Sequence, residues 1–238
     1  MLILSLDTSS PSGSIAILRG TRVIGVISTE TDETYSSRIF RQLEFLLGEL
    51  QLTLESFDLF AVNAGPGSFT GLRVGLTTAK AWADAFSKPV VPVSGLEAVA
   101  MLALDAGEHI IPVIDARRGQ LYVGSYKRTG NQGSHGRTLV RVAEDAVMSP
   151  EEFLSRFSTP ERLSVILATP SKSWLEAALS SDNGASRCQE IREVSTVLAP
   201  SVGVLAYLKF RHGEAVDALR LDANYVRRSD AELNWKGK

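Results

Sequence analysis

The sequence has few of the residues that build covalent or metal-linked sites. Its 238 residues include one cysteine, Cys188, and three histidines. A single thiol excludes an intramolecular disulfide and is typical of a reducing compartment. The histidines, His109, His135 and His212, are far apart and none belongs to an H-E-x-x-H motif. The sequence therefore predicts neither a resident metal nor a cofactor.

Long apolar runs and a strong excess of one charge are also missing. No run approaches the roughly 18 apolar residues that a membrane-spanning helix needs. The first run, Leu2–Leu6, has no basic segment before it and is interrupted by Asp7, which indicates a strand and not a secretory signal. The formal net charge is −2, so contact with RNA would require a local basic patch. We expect a cytoplasmic protein without membrane contact.

Two halves of the chain carry the same predicted order of elements. In each half, three β-rich runs with short turns precede alternating helices and strands, in the order βββ-α-β-α-β-α. The first strand of each half ends in an aspartate, Asp7 or Asp115. This order matches two ribonuclease-H-like domains in tandem, the architecture of actin, sugar kinases and Hsp70. We predict an α/β fold with an N-terminal lobe over residues 1–105 and a smaller C-terminal lobe with a surface tail over residues 106–238.

A glycine-rich loop separates the strand predicted at 58–63 from an alanine-rich helix predicted at about 71–86. The loop reads Ala64-Gly-Pro-Gly-Ser-Phe-Thr-Gly71, and its spacing fits neither a P-loop nor a dinucleotide-binding fingerprint. We expect a tight turn in which Ser68 or Thr70 caps the helix and Phe69 plugs the core. The alternative is that its backbone amides contact an anion.

Several motifs together resemble the TsaB (YeaZ) family along nearly the whole chain. The most specific is Ala64–Gly75, and the others are Ile3–Ser10, Pro92–Ala98, Asp115–Gly119 and, more weakly, Asn224–Arg228. One segment, Tyr35-Ser-Ser-Arg38, lies where the family usually has a His-Ser pair. The resemblance implies a subunit that supports the transferase TsaD, together with the ATPase TsaE. These proteins make threonylcarbamoyladenosine next to the tRNA anticodon, and the chain would meet tRNA only through the complex.

The resemblance also implies that this subunit has no chemistry of its own. Gly95 and Val99 occupy the positions at which TsaD-like enzymes hold two metal-binding imidazoles, and neither side chain binds a metal. A kinase of this superfold would need an acid after the central strand, where the sequence has Asn63 and Ala64. A non-catalytic subunit is therefore predicted. The second candidate is a small-molecule kinase or ATPase of the same superfold, and Gly95 and Val99 disfavour a metallopeptidase.

Two corners are candidates for residual contact with a nucleotide or anion. The first contains Asp7 and Thr8 of the first hairpin turn together with Gly65 and Gly67, although Asp7 is also suited to cap that turn. The equivalent corner of the second lobe contains Arg117 and Arg118. These arginines are suited to phosphate or to carboxylates of a partner, and a solvated turn is the alternative.

Partner contacts are expected on two helices of the N-terminal lobe. The helix predicted at 36–50 has a core stripe that includes Phe40, with Phe45 on the opposite, charged side beside Arg38. The helix at about 71–86 has small residues on more than one side, which either a helix of the same lobe or a second subunit covers. The resemblance favours a subunit, TsaD, and a homodimer when TsaD is absent. The expected interface residues are Tyr35, Phe45, Leu72, Gly75, Leu76, Ala79 and Ala83.

Overall fold

The computed structural model describes residues 1–31, 33–130, 138–157, 165–180, 190–222 and 226. His135, Cys188 and the Asn224–Arg228 motif, apart from Val226, lie outside these residues. The described chain forms two compact units. The first contains Met1–Gly95 and the described part of Thr196–Tyr225, and the second contains the described part of Leu96–Ser195 together with Val226.

The first unit is built on a five-stranded sheet with the spatial order β3-β2-β1-β4-β5. Its strands are β1 (Leu2–Asp7), β2 (Ser14–Arg19), β3 (Arg22–Ser28), β4 (Leu59–Gly65) and β5 (Val90–Ser94). β1, β2 and β3 form an antiparallel meander, whereas β4 and β5 extend the sheet in parallel from β1. Its first two helices are α1 (Tyr35–Leu50) and α2 (Phe69–Ala85), and α3 (Gly95–Leu102) begins at the end of the unit.

The second unit repeats this topology in the order β10-β9-β6-β7-β8. Its strands are β6 (His109–Asp115), β7 (Leu121–Thr129), β8 (Thr138–Met148), β9 (Val165–Thr169) and β10 (Glu190–Glu193), and its helices include α4 (Pro150–Phe157) and α5 (Lys172–Leu179). A reciprocal capping box starts α4, because Glu152 N donates to Ser149 Oγ and Ser149 N donates to Glu152 Oε2. The predicted α/β fold with two ribonuclease-H-like lobes is confirmed.

The last helix, α6 (Ala199–Arg211), belongs to the first unit. Ser5 Oγ donates to Ala199 O at 2.7 Å, and Ala199 N donates to Ser14 Oγ at 3.0 Å. Gly203 lets the helix approach Leu18, since a Cβ there would overlap the leucine side chain. The division at residue 105 is therefore corrected. The sheet needs a cover for the apolar face that includes Leu18, and the helix that covers it comes from the end of the chain.

The opposite face of the first sheet packs against α1 and α2. This core contains Leu4, Leu6, Ile15 and Ile17 from the strands, Ile39, Leu43 and Leu46 from α1, and Leu72, Leu76, Ala79, Trp82 and Ala83 from α2. The surface position predicted for the tail after Asp217 is corrected in part, because Ala218 and Leu221 are buried in this core. Just before the tail, Val216 pairs with Val90. Among the described residues, no helix is long and apolar enough to cross a membrane.

Candidate functional site

The carboxyl ends of β1 and β4 carry a buried polar cluster. The parallel pairing of these strands aligns Leu6 with Val62, which brings Asp7 and Asn63 together at the next position. Ligands of open α/β sheets bind at such strand ends. The cluster therefore occupies the corner for which both capping of the first turn and residual nucleotide contact were considered.

Asp7 accepts hydrogen bonds from the first turn and from the end of β4. Asp7 Oδ1 accepts hydrogen bonds from Ser9 N at 3.0 Å, Ser9 Oγ at 2.7 Å and Asn63 Nδ2 at 2.9 Å. Asn63 Oδ1 in turn accepts from Gly65 N at 2.9 Å. The predicted capping of the first turn by Asp7 is thus confirmed, and the cluster joins that turn to the end of β4.

Asp7 has no exposed surface, and its Oδ2 atom has no hydrogen-bond partner. Burial raises the pKa of the Asp7 carboxyl above its ordinary value of 3.8, because a charged carboxylate is poorly solvated there. The hydrogen bonds from Ser9 and Asn63 act in the opposite direction but are outweighed. In this arrangement the Asp7 side chain links the ends of β1 and β4 through its hydrogen bond with Asn63.

The glycine-rich loop packs directly on the first turn, which is the segment between β1 and β2. Thr8 Oγ1 donates to Gly71 O at 2.7 Å, and Ser68 N donates to Ser9 O at 2.8 Å. A Cβ on Gly71 would overlap the carbonyl oxygen of Thr8, and one on Gly67 would lie 2.6 Å from Ser9 Cβ. These glycines are therefore required for close packing. Gly65 has a positive φ of 111°, whereas Gly67 does not have a positive φ.

The start of α2 agrees only in part with the prediction. Ser68 is the N-cap and accepts from Gly71 N at 3.3 Å, as expected. Phe69, however, is 39% exposed, and the Arg73 guanidinium lies 3.9 Å from its ring centroid. The plug prediction for Phe69 is wrong, because the ring lies at the surface against the Arg73 guanidinium.

Helix α1 holds the other side of the first turn through its first residues. Tyr35 Oη donates to Ser10 O at 2.7 Å, and Arg38 Nη2 donates to Pro11 O at 2.8 Å. Arg38 Nη1 also donates to Thr29 O at 2.8 Å, and its guanidinium lies 4.1 Å from the Tyr35 ring centroid. Burial raises the pKa of the Tyr35 hydroxyl to about 12.

The structure corrects the placement of Arg38 on the outer side of α1, because its side chain is 1% exposed. Arg38 and Gln42 are one helical turn apart at the margin of the apolar stripe, and both donate to Thr29 Oγ1. Two polar residues one helical turn apart beside a core stripe were the sequence signal from which the burial of Arg38 could have been predicted. The acceptors, however, are carbonyl and hydroxyl groups distant in sequence, which no local pattern reveals.

The equivalent corner of the second unit is open to solvent. Between β6 and β7, Arg117 N donates to Asp115 Oδ1 at 2.7 Å, and Arg117 Nη1 lies 3.4 Å from Asp115 Oδ2. The Arg117 side chain is 76% exposed. Arg117 and Arg118 both adopt left-handed backbone conformations, with φ of 62° and 56°. The predicted arginine corner therefore exists as a tight, exposed turn.

The part of the chain that the structure describes contains no group of three or more metal-ligating side chains. Of the two positions compared with metal-binding histidines, Gly95 lies against the Asn63 side chain, where a Cβ would be 3.0 Å from its amide. Val99 is completely buried. The space beside the Gly95 Cα atom accommodates a hydrogen atom. A histidine side chain at this position would have to displace Asn63.

Five of the predicted interface residues are buried within their own unit: Leu72, Gly75, Leu76, Ala79 and Ala83. At Gly75 an added Cβ would overlap Thr8 Oγ1. The small residues therefore allow α2 to lie close to its own sheet and leave little surface for a partner, and their contact with a partner stays a prediction. Tyr35 is half-buried over the first turn, whereas Phe45 is 61% exposed.

The exposed aromatic residues of the two helices agree only partly with the prediction. Phe40 is 58% exposed, although it was predicted to be in the core, and its ring meets Trp82 edge-on at 6.3 Å. We use the name aromatic face for the solvent side of α1 and α2, on which Phe40 and Phe45 lie about 140° apart around α1 and Phe69 lies at the start of α2. The edge of Trp82 supports Phe40 from below, so this ring has a fixed position at the surface.

Comparison with known proteins gives consistent results. The family model described as "TsaD: tRNA N6-adenosine threonylcarbamoyltransferase" matches residues 16–181. The tRNA threonylcarbamoyladenosine biosynthesis protein TsaB of Bacillus subtilis is 30% identical, over 99% of this chain and 98% of its own length. TsaB of Haemophilus influenzae is 27% identical, over 99% of this chain and 96% of its own length. Among solved structures, YeaZ from Pseudomonas aeruginosa matches with a TM-score of 0.74 and 26% identity, over 94% of this chain and 99% of that chain.

Proposed function

The chain belongs to the TsaB (YeaZ) family, and on that premise we propose that it is a non-catalytic partner of TsaD that acts together with TsaE. Family membership gives the chain a role in tRNA threonylcarbamoyladenosine biosynthesis. The proposal adds the identity of the partners, the lack of independent chemistry and a cytoplasmic site of action. In it, TsaD carries out the transfer to the tRNA adenosine next to the anticodon.

The burial of the Asp7 cluster supports a non-catalytic role. A phosphate-binding or metal-binding carboxylate must be accessible to its ligand, whereas Asp7 is covered and its Oδ1 atom is occupied by Ser9 and Asn63. Asn63 also stands where a kinase would place a catalytic acid. The same side chains that would make a nucleotide site are used here to join β1, β4 and the first turn.

The observation that carries the partner role is the aromatic face. Phe40 and Phe45 are each more than half exposed on one 16-residue helix. Exposed aromatic rings are typical anchors of protein interfaces, and the contact with Trp82 holds the Phe40 ring in place. The face belongs to α1 and α2, the helices on which the partner was expected from the sequence, but it uses their outward residues.

Co-purification with TsaD from the same organism tests this proposal. We expect the two proteins to form a complex that, with TsaE, transfers the threonylcarbamoyl group to tRNA, while the chain alone hydrolyses neither ATP nor peptides. The double substitution Phe40→Ser and Phe45→Ser should weaken TsaD binding at least about tenfold, since two anchors are removed. Val140→Ser is the matched control, because Val140 is an exposed apolar residue (50% exposed) of the second unit.

Three outcomes would contradict the proposal in different ways. Failure of the wild-type chain to bind TsaD would remove the partner role. Normal binding by the Phe40 and Phe45 variant would show that the aromatic face is not the interface. ATP turnover by the chain alone, abolished by Asp7→Asn, would support the kinase alternative. Sedimentation of the free chain shows whether the same face forms a homodimer, which the double substitution should then dissociate.

A further inference from the structure

The hairpin between β2 and β3 presents two arginines directly opposite each other. Arg19 ends β2, Arg22 begins β3, and the two residues form a cross-strand pair around the two-residue turn Gly20-Thr21. Side chains of such a pair project from the same face, with their Cβ atoms about 5 Å apart. Both arginines are exposed. The hairpin therefore places two arginine residues side by side at its tip.

Neither arginine has an ion pair with a carboxylate among the residues that the structure describes. Other surface arginines of the same unit do: Arg41 contacts Glu33 at 2.7 Å, and Arg220 contacts Asp217 at 3.7 Å. Like charges directly opposite on a sheet are destabilising. An anion bound between Arg19 and Arg22 would remove this repulsion.

The arginine pair lies on the same side of the sheet as the aromatic face. Arg19 is two residues from Ile17, which packs in the core with α1 and α2, and residues two apart on a strand share a face. Along β3, Gly25 is the residue that α1 covers, since a Cβ there would lie 2.9 Å from Leu46 and from Leu50. The arginines are closer to the hairpin tip than this contact.

We propose that Arg19 and Arg22 bind the phosphodiester backbone of tRNA when the chain is assembled with TsaD. This inference rests on the proposed function. Paired guanidinium groups match the oxygens of a phosphate and are always charged. With a net charge of −2, the chain has no general attraction for a polyanion, so binding must come from a local cluster of this kind.

The test uses the assembled complex and an unmodified transcript of a tRNA that reads codons beginning with A. For the double substitution Arg19→Ala and Arg22→Ala, we expect several-fold weaker tRNA binding. The slope of log K against log salt should become shallower by about 1 to 2, because each phosphate that is no longer neutralised removes about one unit. Lysine at both positions should restore part of the affinity, because the charges remain. The matched control is Arg211→Ala with Arg220→Ala, which removes the same charge from exposed sites of the same unit.

The outcomes separate this inference from the proposed function. If tRNA affinity and the salt slope are unchanged while the complex forms normally, the inference alone is overturned. If the substitutions weaken TsaD binding without RNA, the pair contacts protein and the inference is also overturned. If the wild-type chain does not assemble with TsaD, the proposed function fails, and this inference fails with it. An equal loss of tRNA binding in the control variant would show that net charge and not the pair is responsible.

Discussion

The two corners that follow Asp7 and Asp115 have the same place in the same topology but opposite environments. In the first unit, Asp7 is fully buried, and the turn after it is held by α1, by the glycine-rich loop and by Ser28. In the second unit, Asp115 is 30% exposed and contacts Arg117 of its own turn. The same strand order thus supports either a packed corner or an open one.

The difference lies in what surrounds each turn and not in the aspartate itself. The first turn is approached by residues without bulky side chains, Gly67 and Gly71, and by hydroxyl and guanidinium donors that satisfy its carbonyl groups. The second turn satisfies itself through local bonds such as Gln120 N to Arg117 O at 3.1 Å. We therefore expect substitutions at the first corner to affect the stability of the whole unit, and those at the second to have small effects.

The largest expected effect follows from adding a methyl group at the first corner. In Gly71→Ala, the new Cβ would overlap Thr8 O, which is backbone and cannot rotate away. We expect the free energy of unfolding to fall by about 3 kcal/mol or more. The control is Gly48→Ala, since Gly48 is an exposed position of α1 with open space around it. Alanine there should stabilise the helix by about 0.5–1 kcal/mol.

Chemical denaturation of both variants measures this comparison. A Gly71→Ala protein within about 1 kcal/mol of the wild type would mean that the loop and the first turn can separate without cost, which contradicts their role as a packed unit. A loss of stability in Gly48→Ala would instead indicate that α1 is strained in the folded protein.

A smaller effect is expected when the buried guanidinium is removed. Arg38→Ala removes the side-chain donor of Thr29 O and one of the two side-chain donors of Pro11 O, and it opens space beneath Tyr35. We expect a loss of about 1–3 kcal/mol in the free energy of unfolding. Arg117→Ala is the matched change at the open corner. Because Arg117 is 76% exposed, its removal should change stability by less than about 0.5 kcal/mol. Equal effects of the two substitutions would contradict the contrast between the corners.

Sequence patterns were sufficient for the parts of the molecule that depend on local or periodic features. The order of elements along the chain, the Ser68 cap and the outward position of Phe45 all follow from short-range chemistry or helical spacing. The burial of Arg38 and the association of α6 with the first unit did not follow. Both depend on partners far away in sequence, the carbonyl of Pro11 and the residues Ser5 and Ser14.

The small residues of α2 show a second kind of limit. A run containing Gly75, Ala79 and Ala83 predicts close packing, but the pattern is the same whether the neighbour is a sheet of the same lobe or another subunit. The structure assigns these residues to their own sheet. A substitution such as Ala83→Glu would therefore place a charge in the core and test folding, so Phe40 and Phe45 are the better positions at which to test partner binding.

The smallest expected effect concerns the charge of Asp7. Since burial raises the pKa of Asp7 in the folded state above 3.8, the folded protein holds this proton over a pH range in which the unfolded chain has released it. Its contribution to stability is therefore most favourable below pH 3.8 and falls as the pH rises through the folded-state pKa. Above that pH, the wild type carries the full cost of a buried carboxylate.

Asp7→Asn removes this titration but keeps an oxygen to accept from Ser9 and Asn63. We expect the stability of the variant relative to the wild type to increase as the pH is raised from 3.8 to neutrality, and thermal unfolding across this range measures the change. Asp115→Asn is the control for the loss of one partly exposed carboxylate at the open corner. A relative stability of Asp7→Asn that stays constant or decreases with pH would show that Asp7 is solvated or ion-paired as a carboxylate. The first corner would then be open like the second, and the nucleotide contact predicted at Asp7 and Thr8 would again be the better interpretation.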